Sequence, residues 1–111
     1  MENKFRINGL LDCYENLLTE KQKNICSYYY REDLSLQEIS EIEGVTRSAV
    51  YDTIKRCRKE LETYEEKLHM YESMQKRMKL YEEIMSICDD SVKVLINQCI
   101  DTENEQEENY E

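Results

Sequence analysis

The stretch Ser35–Lys59, SLQEISEIEGVTRSAVYDTIKRCRK, admits few conformations. Ser35 followed three residues later by Glu38 makes a capping box. The Ser hydroxyl accepts from the Glu38 N–H, and the Glu carboxylate reaches back to the Ser35 N–H. Ile39 and Ile42 give the short helix that follows an apolar face. Gly44 supplies the positive φ needed to leave that helix, and Val45 is expected to plug the turn into the core. Thr46 then caps a second helix whose inner face is Ala49, Val50, Ile54 and Cys57. The other face carries Arg47, Ser48, Tyr51, Asp52, Lys55 and Arg56. Two helices about a tight turn, the second presenting its N-terminal side chains, is the layout of a helix-turn-helix. The competing reading is a plain αα-hairpin whose polar face meets only water.

Little else in the chain would interrupt a helix: proline is absent and glycine occurs twice in 111 residues. No alternating β-branched stretch of strand length is present, so the fold class is all-α, without a β wing. Phe5, Leu10, Leu11, Tyr14, Leu17 and Leu18 recur at broadly helical spacing and predict a first helix packed across the motif. Thr19 and Gln22 form a second capping box, opening a helix to about Arg31 in which Ile25, Tyr28 and Tyr29 are expected to face inward. Tyr28–Tyr30 could also be read as a base-stacking platform, but adjacent helical residues point in different directions and core tyrosine is the simpler reading.

Beyond Lys59 the apolar pattern continues. Val50, Ile54, Cys57, Leu61, Tyr64, Leu68 and Tyr71 step 4-3-4-3-4-3, a heptad seam that predicts a helix packed on the protein's own later helices or on a second copy in a homodimer. Met70, Met74, Met78, Tyr81 and Met85 extend the stripe as adaptable core or as a seat for a partner helix. Asp89-Asp90-Ser91 marks a break and a new cap before Val92, Leu95, Ile96, Cys99 and Ile100. The expected organisation is a helix-turn-helix domain over 1–62, a C-terminal helical extension for dimer or partner contact over 63–100, and an acidic, disordered tail over 101–111.

The formal net charge of −10 argues against a DNA-packaging protein, but it is unevenly placed. Asp101–Glu111 holds six acidic residues and no basic one, whereas Gly44–Glu60 holds five Lys/Arg against two Asp/Glu. A local basic face can hold phosphate on an acidic protein, with weak long-range attraction. Cysteines 13, 26, 57, 88 and 99 form no C-x-x-C pair, which fits a reducing compartment and predicts neither disulfide framework nor metal or other cofactor. The opening MENKFRINGLLDCYE has acidic residues where a signal peptide would be apolar, and no run approaches the ~20 apolar residues of a membrane span. A cytoplasmic protein without membrane contact is expected. There is no Gly-rich phosphate loop and no nucleophile–His–acid set. His69 stands among Glu65, Glu66 and Glu72, which read as a solvated helix face. Neither enzymatic activity nor a small-molecule substrate is expected.

Leu-Thr-x-Lys-Gln, an apolar helix, then Ser-Leu-x-Glu-Ile-Ser and Val-Thr-Arg, is similar to region 4 of bacterial sigma factors. The resemblance to the YlxM family is closer. It runs from Arg6, Asn8, Leu10, Asp12 and Tyr14 through Leu17-Leu18-Thr19, Lys21-Gln22, Tyr29-Tyr30 and Asp33. It continues through Ser35-Leu36, Glu38-Ile39, Val45, Arg47, Ala49-Val50-Tyr51-Asp52, Ile54-Lys55-Arg56, Tyr64-Glu65 and Lys67-Leu68, covering roughly residues 6–68. Ser40 and Ser48 depart from it, standing where Ala and Gln are usual. The resemblance implies a cytoplasmic bacterial helix-turn-helix protein with a regulatory part in the signal recognition particle pathway.

Two functions follow as expectations. In the first, a nucleic-acid-binding regulator sets Arg47, Ser48, Tyr51 and Lys55 at a groove and Thr46, Arg56 and Arg58 near phosphate. Asp52 sits amid that face, where it suits a cytosine N4 donor but not phosphate. The ligand is then DNA or signal recognition particle RNA; RNA would be met by shape and phosphates, because its deep, narrow major groove does not admit a helix. In the second, the methionine-rich helices bind the targeting GTPase without nucleic-acid contact.

Overall fold

A computed structural model describes residues 3–104, and every regular element among them is helical. The chain divides into two compact units, Met1–Tyr71 and Glu72–Glu111. The elements are α1 (Lys4–Tyr14), α2 (Glu20–Cys26), α3 (Leu36–Glu43), α4 (Arg47–Leu68), α5 (Met70–Ile87) and α6 (Asp90–Glu103).

In the first unit, α4 is the hub against which α1, α2 and α3 pack. Ile7, Leu10, Leu11 and Tyr14 of α1, Ile25 and Cys26 of α2 and Ile39 of α3 close around Val50, Ile54, Cys57 and Leu61. The first part of the heptad seam is thus consumed by the protein's own earlier helices rather than the later ones. The seam is also not one continuous helix, because α4 ends at Leu68 and His69 takes a left-handed φ of 54°. Tyr64 is half-buried, its ring 5.9 Å from that of Tyr14, while Leu68 stays exposed.

Three apolar expectations are corrected. Phe5, Leu17 and Ile42 are 79%, 54% and 54% exposed, so they are not core. Phe5 lies in the first turn of α1, Leu17 in a 3-10 turn after it, and Ile42 in the last turn of α3, where short elements run past their neighbours. Tyr30, rather than Tyr28 or Tyr29, is buried. Tyr30 lies four residues after buried Cys26, on the same face, and a π-helical turn over Ser27–Arg31 follows α2, marked by the Glu32 N–H donating to Ser27 O at 3.1 Å. The Tyr30 carbonyl accepts from Asn8 Nδ2 at 2.9 Å.

Glu65 is the clearest departure from the expected solvated face: it is 6% exposed. Its Oε1 accepts from Tyr14 Oη at 2.6 Å and from the Tyr71 N–H at 3.0 Å. Tyr14 Oη in turn accepts from the Met70 N–H at 3.0 Å. A buried carboxyl group persists here because its Oε1 accepts two hydrogen bonds, one of them from the Tyr71 N–H in the first turn of α5. Beside it the Tyr71 ring lies against Gly9, where any Cβ would overlap it. Glu15, also buried, pairs with Arg31 at 2.7 Å.

In the second unit Asp89 caps α6, its Oδ1 accepting from the Val92 N–H at 3.1 Å. Arg77 forms a two-pronged pair with Glu103 at 2.9 and 2.8 Å. That pair holds the end of α6, so Asp101, Thr102 and Glu103, the start of the segment expected to be disordered, are helical. Residues 105–111 of that segment lie outside the described residues. Ile96 is buried, and Met74, Met78 and Met85 are half-buried. Leu80, Val94 and Leu95 are more than half exposed, as is Ile87. Among the described residues, no helix is long and apolar enough to cross a membrane.

Candidate nucleic-acid interface

The turn between α3 and α4 is built by its caps. Ser35 Oγ accepts from the Glu38 N–H at 3.1 Å and Glu38 Oε1 accepts from the Ser35 N–H at 2.9 Å. Those bonds hold the Glu38 carboxyl below the usual carboxylate range. Gly44 has φ 67° and ψ 32°, with its N–H returned to Ser40 O. Ser40 is buried, and its hydroxyl donates to Gln37 O at 2.7 Å, so no donor is orphaned there. Val45 is only partly covered. Thr46 Oγ1 accepts from the Ala49 N–H at 3.1 Å and starts α4.

Burial of Val50, Ile54 and Cys57 fixes how α4 is rotated. At about 100° per residue, Arg47, Ser48, Tyr51, Asp52, Lys55 and Arg56 then spread over roughly half the helix circumference. All six, and Thr46, are exposed; Arg58 is half-buried at the edge of that face. From Arg47 to Arg58 the cations run along ~16 Å of axis, at about 1.5 Å per residue.

Electrostatics separate Arg47, Lys55 and Arg56 from Arg6, Arg31 and Arg77. Arg6 is held by Glu62 at 2.9 and 2.7 Å, Arg31 by Glu15 and Asp12, and Arg77 by Glu103. The hydrogen bond to Glu62 raises the Arg6 pKa and, reciprocally, lowers that of Glu62; Arg31 is raised likewise by Glu15. Among the described residues, Arg47, Lys55 and Arg56 have no such partner. Cys57, on the covered side of α4, has its pKa lowered by a hydrogen bond from buried Cys26, and neither faces the exposed cations.

One further arrangement lies beside this face. Tyr29, Leu36, Tyr51, Ile54, Lys55 and Arg58 line an open cleft of about 70 Å³. The sequence singled out Tyr51, Lys55 and Arg58 for the interface and offered Tyr29 as core or, with its neighbours, as a stacking platform; Tyr29 and Leu36 join the other three through packing on α4. The π-helical turn sets the angle of Tyr29, and no local pattern announces it.

The family model for "Putative helix-turn-helix protein, YlxM / p13 like" matches residues 1–111. A UPF0122 protein of Clostridium perfringens is 52% identical over 86 residues, 78% of this chain and 77% of its own length. A UPF0122 protein of Oceanobacillus iheyensis is 52% identical over 84 residues, 76% and 80% of the two chains. One from Streptococcus thermophilus is 49% identical over 92 residues, 82% and 84%.

Proposed function

The chain belongs to the YlxM / p13-like family of helix-turn-helix proteins, and we propose that it is a nucleic-acid-binding regulatory protein that docks the N-terminal half of α4 against its ligand. One observation carries this most directly. In a protein with 25 acidic residues, the exposed cations Arg47, Lys55 and Arg56 have no ion pair among the described residues, although other arginines are taken up by carboxylates. A cation at the start of a helix also opposes the macrodipole, at a cost of about 0.3–1 kcal/mol. An anionic ligand turns that penalty into attraction.

In this proposal Arg47, Ser48, Tyr51 and Lys55 face a groove, Asp52 selects a donor such as cytosine N4, and Thr46, Arg56 and Arg58 approach phosphate. The likeness over residues 6–68 supports a cytoplasmic role in the signal recognition particle pathway, with DNA or that particle's RNA as ligand. A second reading keeps one specific support. Ile87, 86% exposed, with Leu80, Val94 and Leu95, offers an apolar contact on α5 and α6 for a protein partner such as the targeting GTPase.

The two readings part under mutation. Replacing Lys55 and Arg56 by Ala should weaken all duplexes alike and flatten the salt slope by roughly 0.9 per lost phosphate contact. Arg47→Ala should cost about 1–3 kcal/mol on a preferred site and less on random sequence, as a bidentate base contact does. The measurement is titration of DNA and RNA duplexes at several salt concentrations, alongside capture of the GTPase. Binding of every duplex unaltered by all three changes would sink the nucleic-acid function.

A further inference from the structure

The open cleft beside α4 has a lining whose chemistry is narrower than that of the exposed face. Tyr29 and Tyr51 supply aromatic surface, Leu36 and Ile54 an apolar floor, and Lys55 and Arg58 two cations, with no carboxylate among the six. Ile54 is buried and Tyr51 is 52% exposed, so the cleft has a closed base and an accessible ring at its mouth. Its ~70 Å³ is well short of the ~300–1,000 Å³ of sites that enclose small molecules. It therefore suits one planar ring that remains attached to something larger outside.

We infer that this cleft receives a single unpaired nucleotide of the bound nucleic acid, its base against Tyr51 and Leu36 and its phosphate toward Lys55 and Arg58. The inference rests on the nucleic-acid function proposed above and names the ligand class. A base inside a duplex cannot enter, because both its faces are stacked; a bulged, looped or flipped base exposes a π-face that tyrosine can meet. Stacking of that kind tolerates any base and adds to the electrostatic hold on the backbone. Tyr29 is braced for such a role: Lys4 Nζ sits 4.3 Å from its ring centroid and the Tyr30 ring meets it edge-on at 4.9 Å. Lys4 is itself tied to Asp33 at 2.9 Å.

The test compares end-labelled duplexes of DNA and of RNA, each perfectly paired or carrying one central unpaired adenine, by fluorescence anisotropy. The native protein should prefer the bulged duplex about tenfold in at least one of the two frameworks, within the range expected for one stacked base. Leu36→Asp sets a carboxylate among the cleft's cations, and as the first residue of α3 it suits an acidic side chain. It should bring the bulged-to-paired ratio close to one. Tyr29→Leu, which keeps bulk beneath Lys4 but removes the aromatic face, should lower the same ratio, and circular dichroism checks that both variants fold. Equal native affinity for paired and bulged duplexes overturns the cleft assignment and leaves the groove-reading function standing. A ratio that survives in both variants overturns it too. Failure to bind any oligonucleotide overturns the assignment together with the proposed function.

Discussion

The two halves of α4 share one helix and one buried stripe, yet they carry opposite charge. Arg47–Lys59 holds five basic residues and one acidic; Glu60–Leu68 holds four acidic and one basic. Positive at the N-terminus and negative at the C-terminus is the reverse of what the macrodipole favours. In the second half the neighbouring helices answer the charges: Arg6 takes Glu62, Gln22 contacts Glu60, and Tyr14 with the Tyr71 N–H takes Glu65. Among the described residues, the first half has no comparable internal answer at Arg47, Lys55 or Arg56. Folding accounts for the acidic half of the pattern; the basic half is the one that the proposed function assigns to a ligand.

The sharpest way to break this contrast is at Glu65. Glu65→Ala leaves the Tyr14 hydroxyl and the Tyr71 N–H without their acceptor, and stability in urea should fall by about 3 kcal/mol or more. Nucleic-acid affinity per folded molecule should hold. A loss under ~1 kcal/mol would show the buried bonds to be unimportant. The same site gives a pH signature. Burial first, then the hydrogen bond to Glu65, pushes the Tyr14 pKa up from 10 to about 12. A pKa raised on folding stabilises fully below the unfolded value, so this contribution is intact under pH 10 and is lost as pH climbs from 10 through 12. It amounts to at most about 2–3 kcal/mol. Because other groups titrate in that window, the readout is the difference between native protein and Tyr14→Phe, which lacks this phase. Parallel alkaline curves for the two would contradict it.

At the opposite end a smaller effect of opposite sign is expected. Arg47→Ala removes a cation from the first turn of α4 and should raise the unfolding free energy by about 0.3–1 kcal/mol while weakening nucleic-acid binding. Loss of stability instead would mean that Arg47 serves the fold. The smallest effect on folding belongs to Leu68, exposed at the end of the acidic half. A homodimer through that stretch should dissociate on Leu68→Asp, seen as a lower sedimentation coefficient with the unfolding midpoint nearly unchanged. Native protein already monomeric at tens of micromolar would remove the dimer.

What could be read ahead of the structure was whatever is encoded locally. The two capping boxes, Gly44, Thr46 and the rotation of α4 all rest on neighbours within four residues, and those rules transfer directly. Failures came where distant packing decides. Glu65 looks solvated within a charged run, yet it lies four residues beyond Leu61, on the same stripe as Val50, Ile54 and Cys57. A strict heptad reading stepped from Leu61 to Tyr64 and passed over it. The partner of Glu65, Tyr14, is 51 positions away. Tyr30 stands four residues after buried Cys26, a spacing that a count of three and four from Ile25 passes over. The exposed cations of α4 were legible by exclusion from the buried stripe. The cleft was not, since it exists only once α2 and α3 have docked.

The turn that joins α3 to α4 makes a demand of handedness alone. A Cβ at Gly44 would meet nothing within 4 Å, so the site refuses ordinary residues solely because φ is 67°. The mirror-image amino acid prefers that region and would lose less freedom on folding. A semisynthetic chain with D-alanine at position 44 should melt higher than the natural one, by the increment expected of ~0.4–1 kcal/mol, whereas L-alanine should melt lower. Mirror-image chemistry thereby offers a way to stiffen the elbow between α3 and α4 without replacing any side chain of the exposed face of α4.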